Sequence, residues 1–261
     1  MKKALFCACV LIGTFAGAAT PNELFYLPGT GQWMMEGTSQ WTRAYDKTGT
    51  DTATALTGMY GIDGGKAGFV RVSNLWGDMP FLLRQNIGTL PAIPEIGARI
   101  LDKFMGLDTA LEMAYGVGRF SSDRREYDSF SMKLALGKKT GALRTGVYGK
   151  GARFFHFHKN AGYFNQRLKN ATSWAFGGQV AYDIAQNWTI QGDYEHTFKE
   201  RFAVLSAHQS VKNPADTLGL TVSYEFKPGA FISPYGRYTW LDKKSGLSNI
   251  KVFGVKVAVE F

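Results

Sequence analysis

Most of the chain from Thr20 onward consists of segments in which apolar residues alternate with polar or small ones. The last segment shows this most clearly. Its alternate positions are Phe253, Val255, Val257, Val259 and Phe261, and Gly254, Lys256, Ala258 and Glu260 lie between them. This pattern is typical of a strand with one apolar face and one polar or small face.

Eleven segments share this pattern. They cover residues 33–45, 54–62, 70–76, 111–118, 129–136, 143–148, 173–184, 188–198, 217–226, 231–241 and 253–261. Some connections are tight, at 137–141, 185–187 and 227–229, whereas 155–172, 199–216 and 242–248 are longer and polar. Short turns at one end and long loops at the other are typical of outer-membrane barrels. The sequence therefore predicts an all-β fold, an antiparallel transmembrane β-barrel over residues 33–261, with the C-terminus and short turns on the periplasmic side.

A barrel with both termini in the periplasm needs an even number of strands. Phe81–Leu90 is the best candidate for a further strand, which gives twelve, and ten strands is the alternative. Ile96, Ile100, Leu101 and Phe104 fall at helical spacing, with Pro94 before them and Gly106 after them. That spacing predicts a short amphipathic helix over residues 94–105.

The start of the chain has the features of a secretory signal peptide. Lys2 and Lys3 precede the apolar stretch 4–15, and cleavage sites follow at Ala16-Gly17-Ala18 or Gly17-Ala18-Ala19. We expect a signal peptide over residues 1–19 and a short N-terminal segment over 20–32. Cys7 and Cys9 lie inside the leader. The mature chain then has no cysteine, which excludes a disulfide scaffold, a cysteine zinc site and a thiol nucleophile.

Composition leaves two classes open. The chain is 45% hydrophobic, with a formal charge of +9 and a mean hydropathy of −0.16, and no stretch after the leader is long enough for a membrane-spanning helix. It is therefore either a soluble exported protein or a closed barrel, because an open sheet edge is not tolerated in lipid.

The terminal Phe261 and the early strand with Trp41-Thr42-Arg43 resemble small Gram-negative outer-membrane barrels, and the translocator domains of autotransporters in particular. The resemblance implies an outer-membrane location. It also implies that the barrel-assembly machinery reads the strand that contains Phe253, Val255, Val257, Val259 and Phe261. Only a few residues precede the first strand, and no pore-threading helix is evident before Trp33. The resemblance therefore implies architecture rather than secretion of a passenger.

The polar face of the predicted strands would line the lumen. Its candidate residues are Glu112, Lys133, Arg144, Gln179, Asp183, Gln191, Asp193, Glu195, Glu225, Arg237, Lys256 and Glu260. Such a wall can form a narrow, porin-like channel for small solutes. Alternatively, opposite charges pair across the lumen and close it, which would make the barrel a structural surface protein. Neither reading requires a cofactor.

A stretch without acidic residues predicts a basic patch on the external side. It contains Lys150, Arg153, Lys159, Arg167 and Lys169, with His156 and His158 among them. The patch could contact lipopolysaccharide phosphates or attract anions, or it could be a solvated loop. The export signal argues against nucleic acid as a partner. Two histidines without a third ligand do not indicate a metal site.

One enzymatic hypothesis remains. His208-Gln209-Ser210 lies in a predicted external loop, and some outer-membrane phospholipases and lipid A deacylases carry a similar His-x-Ser pair. The asparagine that usually follows is replaced by Val211. Lipid hydrolysis through His208 and Ser210 is therefore the alternative function.

Overall fold

The computed structural model describes residues 19–44, 51–73, 93–120, 125–155, 171–203, 210–212, 215–241 and 249–261. They form thirteen strands: β1 (Trp33–Ala44), β2 (Asp51–Ile62), β3 (Lys66–Ser73), β4 (Ile93–Phe104), β5 (Leu107–Phe120), β6 (Arg125–Thr140), β7 (Leu143–Phe155), β8 (Ala171–Ala185), β9 (Trp188–Ala203), β10 (Ser210–Lys212), β11 (Ala215–Lys227), β12 (Ala230–Leu241) and β13 (Ile250–Glu260). Among these residues, no helix is long and apolar enough to cross a bilayer.

Twelve strands close into one antiparallel barrel. Each pairs with its neighbour along the chain, β9 pairs with both β8 and β11, and β13 pairs with β1 to close the ring. The short β10 pairs only with Arg201–Ala203 of β9 and adds no strand to the wall. The predicted twelve-stranded barrel is confirmed.

The twelfth strand is β4, so the predicted helix over 94–105 is wrong. Ile96, Ile100 and Phe104 are spaced by four residues, which fits a helix but also places all three on one face of a strand. Leu101 broke the alternation because it packs inside the barrel against a buried cluster that includes Leu24. The other proposed strand, Phe81–Leu90, lies outside the described residues.

All the tight turns lie at one end of the barrel, together with Phe261. They join β2–β3, β4–β5, β6–β7, β8–β9 and β11–β12, and most contain a glycine with positive φ, such as Gly106 and Gly229. Glycine adopts this conformation without steric cost. We call this the short-turn end, and the opposite end carries the longer connections.

The outer surface of the barrel is an apolar belt. Large side chains such as Leu134, Val180 and Leu220 point outward from the wall and are about half exposed. Aromatic residues mark its edges, with Trp33 packed on Tyr60 and Trp188 on Tyr224 near the short turns, and Trp174 and Trp240 near the other end. A continuous belt of this kind, with aromatic girdles, is what the hydrocarbon and headgroup layers of a membrane require.

Candidate functional site

The N-terminal segment, residues 19–32, lies inside the barrel at the short-turn end. Thr20, Glu23, Leu24 and Tyr26 are buried there. Its partners come from several sides of the ring and include Arg144 at the start of β7 and Glu260 at the end of β13. The lumen is therefore occupied at this end by the chain's own N-terminal residues. The sequence predicted the segment but not its location.

Apolar packing holds one side of the segment. Tyr26 belongs to a buried cluster with Met34, Met59, Phe69 and Phe231 of the wall. On the other side of the lumen, Leu24 packs on Ala110, Ala135 and Tyr148. Burial of each such side chain stabilises the docked segment by roughly 1.5–3 kcal/mol.

The ring of Phe25 fits against two glycines of the wall. A Cβ atom at Gly137 would lie 2.4 Å from this ring and 2.4 Å from the carbonyl oxygen of Thr145, and one at Gly146 would lie 2.8 Å from the ring. Real side chains do not approach so closely. Glycine at Gly146 therefore leaves room for Phe25, and glycine at Gly137 leaves room for both Phe25 and the neighbouring strand.

Arg144 joins the segment to the wall through two carboxylates. It donates hydrogen bonds to Glu23 of the segment and, over 2.5 Å, to both carboxylate oxygens of Asp183 on β8. All three side chains are buried, and Thr189 donates a further hydrogen bond of 2.8 Å to Asp183. We call Glu23, Arg144 and Asp183 the Arg144 clamp. Removing one member of a buried, well-paired cluster is costly, since the other charges stay buried without compensation.

Further hydrogen bonds fix the backbone of the segment. Gln179 accepts from the amide of Leu24 over 2.9 Å and donates to the carbonyl of Asn22 over 3.3 Å. Asn22 also donates to Ser223 over 3.3 Å. The carbonyl of Tyr26 accepts from Arg99 over 3.1 Å. The segment is thus bonded to β4, β8 and β11 as well as to the clamp.

Glu260 holds the last part of the segment. It accepts from the Tyr26 hydroxyl over 3.1 Å and from the amide of Gly29 over 2.8 Å. Burial and the nearby carboxylate of Glu260 raise the pKa of Tyr26, so the phenol remains a neutral donor. Gly31 and Gln32 then pair with the backbone of Gly61 over 2.9 Å, and the chain enters β1.

Two networks of opposite charges line the rest of the lumen. On the β3–β5 wall, Arg71 contacts Glu95 at 3.3 Å and Glu112 at 3.4 Å, and Arg99 pairs with Glu112. Lys133 extends this network onto β6, where its ammonium lies 4.3 Å from the ring centre of Tyr148.

The second network follows β7 to β13. Lys150 and the Tyr148 hydroxyl both contact Glu195 at 2.8 Å. Arg237 lies 4.0 Å from Asp193 and stacks over Tyr235, as does Lys256. These contacts mix both signs of charge with two tyrosine faces. They leave no large surface of one charge on the described wall.

The structure places all the predicted lumen residues on the inner face. Glu225 lies at the mouth, where it accepts from the Gly229 amide over 2.9 Å, and Gln191 is fully buried. Residues absent from the prediction include Arg71, Arg99, Glu36, Glu23 and Tyr26. Arg71 alternates with Val70 and Val72, so its inward orientation could have been predicted from the sequence. Arg99 was missed because it lies in the stretch predicted as a helix, whose residues were not assigned to the barrel wall.

Other predicted sites lie apart from the lumen or outside the described residues. Lys150 belongs to the lumen rather than to an external patch, because it faces inward on β7. Arg153 is exposed at the opposite end from the short turns, and Lys159, Arg167, Lys169, His156 and His158 are not described. His208 is not described either, and only the backbone of Ser210 is.

The terminal strand places Phe253, Val257 and Val259 outward. Phe261 exchanges two backbone hydrogen bonds of 2.8 Å with Trp33, which extends the seam where the ring closes. Among the described residues, no three metal-ligating side chains form a cluster.

Comparisons with known proteins agree with this architecture. No family model and no curated protein matches the chain. An outer-membrane channel from Pseudomonas putida F1 matches with a TM-score of 0.65 at 11% identity, over 93% of this chain and 100% of that one. The NanC porin matches with a TM-score of 0.56 at 14% identity, over 86% and 98% of the two chains. The KdgM porin in complex with disordered oligogalacturonate gives 0.51 at 12%, over 87% and 99%. The chain therefore has the porin-like fold of an outer-membrane β-barrel.

Proposed function

We propose that this protein is a porin-like passive channel for small solutes in the outer membrane of a Gram-negative bacterium. The observation that supports this most directly is the contrast between the two faces of the wall. The outer face is an apolar belt, whereas the inner face carries charged and hydrogen-bonding side chains from β3 through β13. A lumen with such a wall holds water and can pass polar solutes.

The docked N-terminal segment makes this a gated channel. It occupies the short-turn end, so solutes cross only when the segment moves or leaves a narrow path beside it. Besides the packing of Leu24, Phe25 and Tyr26, its attachment includes polar contacts concentrated at the Arg144 clamp and Glu260. Contacts of this kind can be exchanged for contacts with water, which makes a reversible gate physically reasonable.

The charge pattern favours solutes without a strong net charge. Arg71, Arg99 and Lys150 each lie beside a carboxylate, so the field along the lumen is weak. The KdgM porin was solved in complex with disordered oligogalacturonate. In this chain, the tyrosine faces of Tyr148 and Tyr235 beside paired charges suit small neutral or zwitterionic polar solutes.

Planar-bilayer recordings test this function. We expect the mature chain to give small steps or brief openings, and a variant that lacks residues 20–31 to give larger and more persistent ones. If neither protein conducts at any salt concentration or voltage, the barrel is a closed structural surface protein and the channel proposal fails.

Export, processing and partners belong to the same proposal. The leader would be cleaved before insertion, the barrel-assembly machinery would read the strand that ends at Phe261, and lipid and lipopolysaccharide would surround the apolar belt. The likeness to autotransporter translocators is proposed for architecture only. Lipid hydrolysis through His208 and Ser210 has no support from a described contact.

A further inference from the structure

Thr20 begins the buried part of the N-terminal segment, in a turn that the Glu23 amide closes by donating to the Thr20 carbonyl over 2.9 Å. The Glu23 carboxylate returns this contact, as in a capping box. The backbone nitrogen of Thr20 lies 2.8 Å from Glu23 Oε1. Thr20 is 3% exposed, and the side chain of Glu23 is 4% exposed. Thr20 Oγ1 is buried without a hydrogen-bond partner among the described residues.

A peptide nitrogen at Thr20 carries a single proton, which Glu23 Oε1 accepts. An α-ammonium at the same position carries three protons and a positive charge, and one of its protons would remain with Glu23. The contact with Glu23 would also become charge-assisted, which makes a hydrogen bond roughly twice as strong.

The sequence offers a way to create this ammonium. Cleavage after Gly17-Ala18-Ala19 makes Thr20 the first residue of the mature chain. Cleavage after Ala18 would instead place an ammonium on Ala19. That residue lines a cavity of about 360 Å³ together with four cationic side chains, Lys103, Lys138, Lys139 and Arg144, and two carboxylates, Asp102 and Asp108. A new positive charge is better placed on Thr20, directly beside the Glu23 carboxylate, than in a cavity where cations outnumber carboxylates.

We propose that the leader is cut between Ala19 and Thr20, and that the new α-ammonium of Thr20 pairs with Glu23 inside the lumen. The proposal rests on the proposed exported barrel and deepens it, because full docking of the N-terminal segment then requires processing. The step is a hydrolysis by the peptidase of the export machinery. One water is consumed, the Ala19–Thr20 peptide bond breaks, Ala19 keeps a carboxylate and Thr20 gains the ammonium.

The pair gives the gate a pH response of defined sign. A free α-amino group titrates near about 7.7–8.0, and the Glu23 carboxylate would raise the pKa of this one when docked. Its stabilisation is then fully present below the undocked pKa and is lost as pH rises through the docked pKa. The other charged groups that face it are Arg144 and Asp183 of the clamp and Asp102, Asp108, Lys103, Lys138 and Lys139 of the cavity.

The first test is the intact mass of protein purified from outer membranes, which reports the first residue whether or not the barrel conducts. We expect residues 20–261. A first residue anywhere else overturns the proposal and leaves the channel function untouched.

The second test follows hydrogen exchange of the amides of residues 22–32 between pH 7 and pH 10, a readout that needs no conductance. In the wild type, these amides should lose protection against exchange as the pH rises, a change that we call the alkaline step. A variant with one glycine inserted before Thr20, cleaved to expose that glycine, keeps Glu23 and Arg144 but displaces the ammonium, so this alkaline step should disappear.

Asp63→Asn is the matched control, since it neutralises an exposed carboxylate in the β2–β3 turn, outside the clamp, and it should retain the step. Glu23→Gln should lose it. An unchanged alkaline step in both the glycine insertion and Glu23→Gln would overturn the pairing, even if the chain begins at Thr20.

Discussion

The hydroxyl of Tyr26 donates a hydrogen bond to Glu260 across 3.1 Å, although the two residues are 234 positions apart. This contact joins the N-terminal segment to the last strand of the ring. Because Glu260 also holds the amide of Gly29, the segment cannot take its final position before β13 is in place. Closure of the barrel and closure of the lumen are therefore linked.

Tyr26→Phe tests this link with minimal change in shape. The variant should lose about 0.5–1.5 kcal/mol of stability, because Glu260 loses one donor and keeps Gly29. Hydrogen exchange of residues 24–32 measures the loss. Since burial and Glu260 raise the pKa of Tyr26, the contribution of its hydroxyl should persist beyond pH 10, where a free tyrosine titrates. Tyr60→Phe, on the outer surface, is the control and should leave the segment protected.

Arg144→Met should release the N-terminal segment. It leaves Glu23 and Asp183 buried beside each other without the cation that joins them, a change that costs about 3–5 kcal/mol in comparable clusters. Undocking lets Glu23 reach water and relieves most of that cost, so single-channel steps should become larger and longer. Arg144→Lys keeps the charge but not the bidentate hydrogen-bond geometry, and its single-channel steps should be intermediate in size and duration. If Arg144→Met remains as closed as the wild type, the clamp does not hold the gate.

Arg237→Glu should shift ion selectivity toward cations. Arg237 is about half exposed in the lumen and lies 4.0 Å from Asp193, so the substitution replaces a mixed pair with two negative charges. A unit charge at about 4 Å contributes about 1 kcal/mol in water, or roughly a fivefold change in permeability ratio. Reversal potentials across a salt gradient, in a variant lacking residues 20–31, measure this shift. Lys251→Glu makes the same change of charge beside Tyr238 on the outer surface, and it should change the ratio much less.

The fold was largely predictable because its signal is local. Alternation along the chain predicted eleven of the twelve wall strands. β4 was missed where the pattern was ambiguous, since Ile96, Ile100 and Phe104 fit both periods. The position of the N-terminal segment depends on contacts such as Glu23 with Arg144, which are 121 residues apart. No local sequence pattern predicts such a contact, so the position of the N-terminal segment could be identified only from the structure.

Ile96→Arg tests the strand at the position where the sequence suggested a helix. In β4 this side chain faces outward and is 63% exposed, so it should meet lipid hydrocarbon. An arginine there should destabilise the folded barrel by roughly 1–3 kcal/mol. This lies between the cost of a lipid-facing arginine near the membrane interface and its cost at the bilayer midplane. Denaturant titration of refolding into lipid vesicles measures this cost. Met105→Arg is the matched control, because Met105 is 88% exposed in the β4–β5 turn, and it should change stability by less than about 0.5 kcal/mol. Equal effects at the two positions would mean that Ile96 does not contact the membrane and that β4 is not part of the lipid-facing wall.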